Sequence, residues 1–144
     1  MNTILLILHL LGFGLGFGVA LGNNLVMMLV AKASPAEAAG LRRFPPIMAR
    51  VGDIALVLLW LTGIAMIFTR YGGIEGLAAL PSPAAFWAKM ICVVIMTGLV
   101  GLMHATVAKI KRGDLSVAGR MPVLGKLGLV LLLLVLVFAV LAFE

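Results

Sequence analysis

Charged residues are the first shortage in this sequence. They make up 11% of 144 residues, while 64% are hydrophobic, a balance that excludes an ordinary soluble domain. Cysteine is nearly absent. The lone Cys92 can make no internal disulfide and says nothing about redox compartment. Polar stretches long enough for a separate soluble domain are missing, and no internal repeat is visible at the periods of about 20–50 residues that mark repeat architectures. The net charge of +6 raises the question of nucleic acid, which the position of the charges answers below.

What fills the chain is apolar sequence in four runs: about 3–31, 52–69, 85–108 and 123–143. Runs of roughly 20 apolar residues signal transmembrane helices. The expected fold is therefore all-α: an integral membrane four-helix bundle with short loops, forming a single transmembrane domain over 1–144. The first run lacks a basic leading segment and an obvious cleavage site, so a retained helix is expected there rather than a signal peptide.

Nine of the eleven basic residues fall in two segments. Lys32, Arg42, Arg43 and Arg50 lie between the first two runs. Lys109, Lys111, Arg112, Arg120 and Lys126 lie between the last two. The positive-inside rule puts both segments in the cytoplasm and the termini and middle loop outside, an N-out/C-out topology. The basic surface then faces anionic lipid, and nucleic acid is not an expected partner.

Local signals refine the loops. Ser34-Pro35-Ala36-Glu37 reads as a capping box with proline at the first helical position. A short amphipathic helix is expected from there to about Phe44, ended by Pro45-Pro46. The middle loop, YGGIEGLAALPSPAAF, is rich in Gly and Pro, with Ser82-Pro83 as the start of the third helix. Tyr71 and Trp87 stand where interfacial aromatics are expected. The fourth run has no polar residue between Lys126 and Glu144, so chemistry belongs to the first three helices.

The first run contains LHLLGFGLGFGVALG, with glycines costly to a helix in water by about 1 kcal/mol each relative to alanine. On a helix they form two small-residue rows, Gly12–Gly16 and Gly14–Gly18–Gly22. In lipid such rows allow close helix approach, and both are expected to be packing faces. A flat ligand beside the helix is the functional alternative. A dinucleotide-binding loop is a poor reading, because no strand precedes the glycines.

Ionisable residues inside apolar spans are costly and are candidates for function. Here they are His9, Asp53, Lys89 and His104. His9 and Lys89 share a depth near the outer side in the expected topology. His104 lies roughly 22 Å further along its helix than Lys89, so His9 and His104 cannot ligate one iron from opposite faces. His9 can serve as an axial ligand for a porphyrin standing beside Gly12 and Gly16. For Lys89 the plainer reading is snorkelling to the headgroups. For His104 and Asp53 it is hydration or pairing at the inner surface. The scattered methionines suit packing more than Cu(I) ligation.

The LH of the first helix, the LTG of the second and the Trp87-x-Lys89 opening of the third resemble the superfamily of small membrane bundles that includes HemJ-type protoporphyrinogen oxidases and CopD-type copper-resistance domains. The resemblance implies haem b, with His9 as the metal ligand and Lys89 as a catalytic residue, second ligand or propionate partner. It implies an oxidoreductase acting on a porphyrinogen. The C-terminal Arg…Asn-Glu…Pro pattern of that family is replaced by RMPVLGKLGL. The resulting expectation is a small haem-b-binding redox protein in a bacterial inner membrane, embedded in lipid as a homo-oligomer or complex subunit. The alternatives are a non-enzymatic subunit of a larger membrane complex and a CopD-like copper-handling protein.

Overall fold

Each long apolar run folds as one uninterrupted helix. The structure is a computed structural model that describes residues 2–144, with side chains from Thr3 onward. Helix α1 spans Asn2–Val30, α2 Pro35–Leu41, α3 Phe44–Tyr71, α4 Pro83–Lys111 and α5 Met121–Phe143. Short 3₁₀ segments cover Glu75–Ala79 and Leu115–Arg120. No strand occurs among the described residues. Helices α1, α3, α4 and α5 contain 29, 28, 29 and 23 residues. At 1.5 Å per residue they run about 34–44 Å, against a hydrocarbon core of about 30 Å. All four are long and apolar enough to cross a membrane. Ile4, Ile54, Leu61 and Ile91 are each at least 60% exposed, a costly surface in water and a neutral one in lipid. The chain is thus all-α, with four long apolar helices of the kind an integral membrane bundle requires.

Two compact units can be distinguished, Met1–Pro83 and Ala84–Glu144. In the first, α1 packs antiparallel on α3. The contacts follow a 3-4-3 spacing on both helices: His9, Gly12, Gly16 and Val19 on α1 meet Thr62, Leu59, Ala55 and Gly52 on α3. This is the spacing of a heptad seam. Small residues on both sides bring the backbones close. A Cβ at Gly12 would stand 3.2 Å from the Ala55 carbonyl oxygen and 3.2 Å from Leu59 Cγ. One at Gly16 would make ordinary contact with the Ala55 methyl. In lipid this packing replaces the hydrophobic drive of a water-soluble core. The second row does not do the same. Gly14, Gly18 and Gly22 have nothing within 4 Å of where a Cβ would stand. Within this chain only the Gly12–Gly16 row is a packing face. The rows lie on different sides of α1, and the seam with α3 can take only one.

The turn between α1 and α3 forms as the capping signal requires. Glu37 Oε2 accepts the Ser34 backbone N–H at 2.9 Å and its hydroxyl at 2.7 Å. The helix that follows is shorter than expected, stopping at Leu41. Pro45 and Pro46 do not end it. They stand in the first turn of α3, where the absent N–H would have had no helical acceptor. The spanning helix therefore begins at Phe44 rather than near 52. At its far end Gly72, at φ 72°, adopts the left-handed conformation, and the Gly73 N–H reaches back to the Ile67 carbonyl at 2.9 Å. The chain then folds onto the helix end so tightly that a Cβ at Gly76 would fall on the Tyr71 carbonyl, while Leu77 is buried.

In the second unit α4 and α5 are also antiparallel. Leu99 approaches Gly128, and Lys89 near the start of α4 approaches Phe143 at the end of α5. Gly113, at φ 96°, ends α4. Asp114 then accepts the Ser116 N–H at 3.1 Å and its hydroxyl, opening the 3₁₀ segment that leads into α5. The Ser116 hydroxyl is the main reason the Asp114 carboxyl sits below its ordinary value. All nine basic residues of the two charged segments are exposed.

Candidate functional site: an oriented imidazole on the α1–α3 seam

The two short motifs Leu8-His9 and Leu61-Thr62-Gly63 meet across the first hairpin. His9 Nδ1 lies 2.9 Å from Thr62 Oγ1. Thr62 is 4% exposed, and its oxygen lies 2.6 Å from the Leu58 carbonyl oxygen one turn earlier. Two oxygens that close need a proton between them. A threonine hydroxyl has only one proton to give. It therefore donates to Leu58, and its lone pair accepts a proton carried by His9 Nδ1. The neutral imidazole is then the Nδ1–H tautomer, with its lone pair on Nε2. Metal-ligating histidines commonly have one ring nitrogen donating to a protein acceptor in this way.

Gly63 supplies the space. A Cβ there would stand 3.3 Å from His9 Cε1 and 3.8 Å from Nδ1. The Cε1–Nδ1 edge of the ring thus approaches a position with no side chain. Thr62 fixes how the ring is turned, and Gly63 lets it approach. Neither role was assigned from sequence. The signal was present in the LTG tripeptide, but only the antiparallel pairing of α1 with α3 gives it meaning.

The other candidates are placed as follows. Gly12 and Gly16 share the His9 face of α1 but are taken up against Ala55 and Leu59, so they do not form an open wall for a porphyrin. That expectation is corrected: the space beside them holds α3. The open glycines, Gly14 and Gly18, sit on the opposite side of α1 from His9. Two shallow grooves mark the surface of the first unit. One is lined by Leu29, Lys32, Glu37 and Phe44 among others, the second by Asp53, Ile54, Val57, Leu58 and Leu61. Neither is lined by His9 itself. Asp53 is half-buried on α3, and His104 is exposed on α4.

Lys89 belongs to the second unit. Its Nζ stands 6.0 Å from the centre of the Phe86 ring and 5.9 Å from that of Phe143. Trp87, 49% exposed, meets Phe86 edge-on at 5.7 Å. Among the described residues no group of three or more His, Cys, Asp or Glu could hold a metal ion. No family model matches the chain, and no curated protein or solved structure matches it significantly.

Proposed function

We propose that this protein is a small haem-b-binding redox protein of a bacterial cytoplasmic membrane, oriented N-out and C-out, in which His9 would hold the haem iron. The observation that carries the reading is the His9–Thr62–Leu58 relay, which fixes the imidazole on the α1–α3 seam. The donor chemistry fits haem iron, for which a neutral imidazole is a common axial ligand. When bound, haem would supply one-electron transfer. The chain's own part is to hold the ring. Thr62 keeps the proton on Nδ1 and fixes how the ring is turned. Gly63 and the close seam at Gly12 restrain the ring's position before any ligand arrives. The protein's substrate class in this reading, by resemblance, is a porphyrinogen.

Purified wild-type protein from haem-replete cells is expected to show a Soret band and about one haem per chain or per dimer. His9→Ala should lose the haem or shift its spectrum. His104→Ala should leave both unchanged. Wild-type protein free of haem after such expression would end the proposal.

One observation favours a second reading. The uncovered Gly14–Gly18–Gly22 face is the kind of surface against which another transmembrane helix packs. In that reading the protein is a non-catalytic subunit, and it purifies colourless together with larger membrane proteins.

A further inference from the structure

The Lys89 ammonium carries three N–H donors and stands over two aromatic rings. Its contacts are the Phe86 and Phe143 rings, and no hydrogen-bond acceptor or carboxylate partners it among the described residues. Ring faces attract a cation but accept its hydrogen bonds poorly. An ammonium inside an apolar span needs an anion. The chain's described residues do not offer one, so the anion comes from outside.

Its position says which kind. Lys89 is six residues into α4, about 9 Å from the helix start. A helical side chain leans toward the N-terminus, so the amine reaches back toward the level of the first turn. Phe143 is the last residue of α5, at the same end of the hairpin. Trp87 alongside is exposed as aromatics of the interfacial belt are. This is the depth of headgroup phosphates. From the clamp an apolar row runs down α5: Phe143, Val140, Leu136 and Leu133, each 44–47% exposed and spaced three, four and three residues apart. Such a row is a track for an acyl chain, with the charge at its upper end.

We infer that Lys89, clamped between Phe86 and Phe143, binds the phosphate of one anionic phospholipid, whose acyl chain lies along Leu133–Phe143 of α5. A phosphate oxygen accepts from the ammonium, and the two rings hold the amine at the headgroup level. The apolar row selects a lipid over a free phosphate ion, because only a lipid uses it.

The test is native mass spectrometry of the full chain released from detergent. The chain is first equilibrated with phosphatidylglycerol, phosphatidylcholine or inorganic phosphate. The haem-free His9→Ala chain is run beside the wild type, so that the outcome does not depend on the haem reading. One phosphatidylglycerol should stay bound at activation energies that strip phosphatidylcholine. Lys89→Gln should weaken retention at least about tenfold, as loss of a charge-assisted hydrogen bond does. Lys89→Arg should keep most of it, and Phe143→Ala should reduce it while leaving the charge in place. Equal retention by wild type and Lys89→Gln overturns the site. Displacement of the lipid by millimolar phosphate would also overturn it, by assigning the pocket to the free ion. Should Lys89→Gln fail to fold, the Phe143→Ala and phosphate-competition arms still decide.

Discussion

Replacing Thr62 by valine removes one oxygen and keeps the β-branched shape. The wild-type oxygen receives the His9 Nδ1 proton and gives its own chiefly to Leu58, with a longer contact to the Leu59 carbonyl at 3.4 Å. The Leu58 carbonyl can retain its helical N–H partner after the change, so the loss falls mainly on the imidazole. A neutral hydrogen bond contributes about 0.5–1.5 kcal/mol net. Interhelical ones in membranes average about 0.6 kcal/mol and reach about 1.7. Thr62 is almost fully buried and its bond to His9 is well within range, so a coupling near 1 kcal/mol is expected. The assay is a double-mutant cycle of Thr62→Val and His9→Ala, read by reversible unfolding in mixed micelles. Thr62→Ser should restore most of the coupling. A second readout is nitrogen-15 NMR of the imidazole. Wild type should show Nδ1–H, the reverse of the form free histidine favours in water, and Thr62→Val should show a mixture. A coupling below about 0.3 kcal/mol, inside the usual error of additivity, would refute the relay. So would a wild-type imidazole carrying its proton on Nε2.

The two glycine rows should now respond oppositely. Gly12→Leu meets the Ala55 carbonyl and Leu59 and should destabilise the hairpin by about 1–3 kcal/mol, the usual cost of overpacking. Gly18→Leu meets nothing within this chain and should leave the hairpin's micellar unfolding unchanged or improved; a matching loss in both variants would contradict the seam. Topology reporters fused after Leu41 and after Ser116 should report cytoplasm, and one after Leu77 the outside; a cytoplasmic signal at Leu77 would reverse the assigned depth of Lys89. Asp114, held below the ordinary carboxylate value chiefly by the Ser116 hydroxyl, contributes at pH values above that ordinary value and loses the contribution as pH falls through its lowered one. Amide exchange at Ser116 should therefore accelerate on acidification in wild type and be already fast, and flat with pH, in Asp114→Ala.

Much of the fold was legible because a bilayer leaves a chain few choices. Four apolar runs had to be helices, and Ser34 with Glu37 marked a helix start that the structure forms. The prolines at 45 and 46 were harder. A proline bars the helix that would continue through it and suits the first turn of the helix that begins with it, so the residue alone does not say which side it serves. The glycine rows were ambiguous for a related reason. Spacing on one helix shows where a partner can approach, and only the partner's spacing shows where it does. The complementary series Gly52, Ala55, Leu59 and Thr62 was in the sequence, but nothing local tied it to His9, Gly12, Gly16 and Val19. The candidate histidine was visible as an ionisable residue in an apolar span. Its orienting partner was not, because threonine in a membrane helix ordinarily bonds its own backbone, as Thr69, Thr97 and Thr106 do.

Where Gly12, Gly16, Gly52 and Ala55 line it the seam is smooth, and smoothness has a consequence for uniqueness. Glycine and alanine rows let two helices come close, yet they distinguish poorly between one alignment and the next. Slide α3 by one turn, about 5.4 Å, and Ala55 would still find a small neighbour on α1. His9 would not find a hydroxyl. It would stand against Leu58, Leu59 or Met66, with its Nδ1 proton facing hydrocarbon. The His9–Thr62 bond adds little to the total stability of the hairpin, but nearly all of it is difference between the native alignment and its shifted competitors. In this protein one hydrogen bond acts as the index mark on an otherwise ungraduated slide.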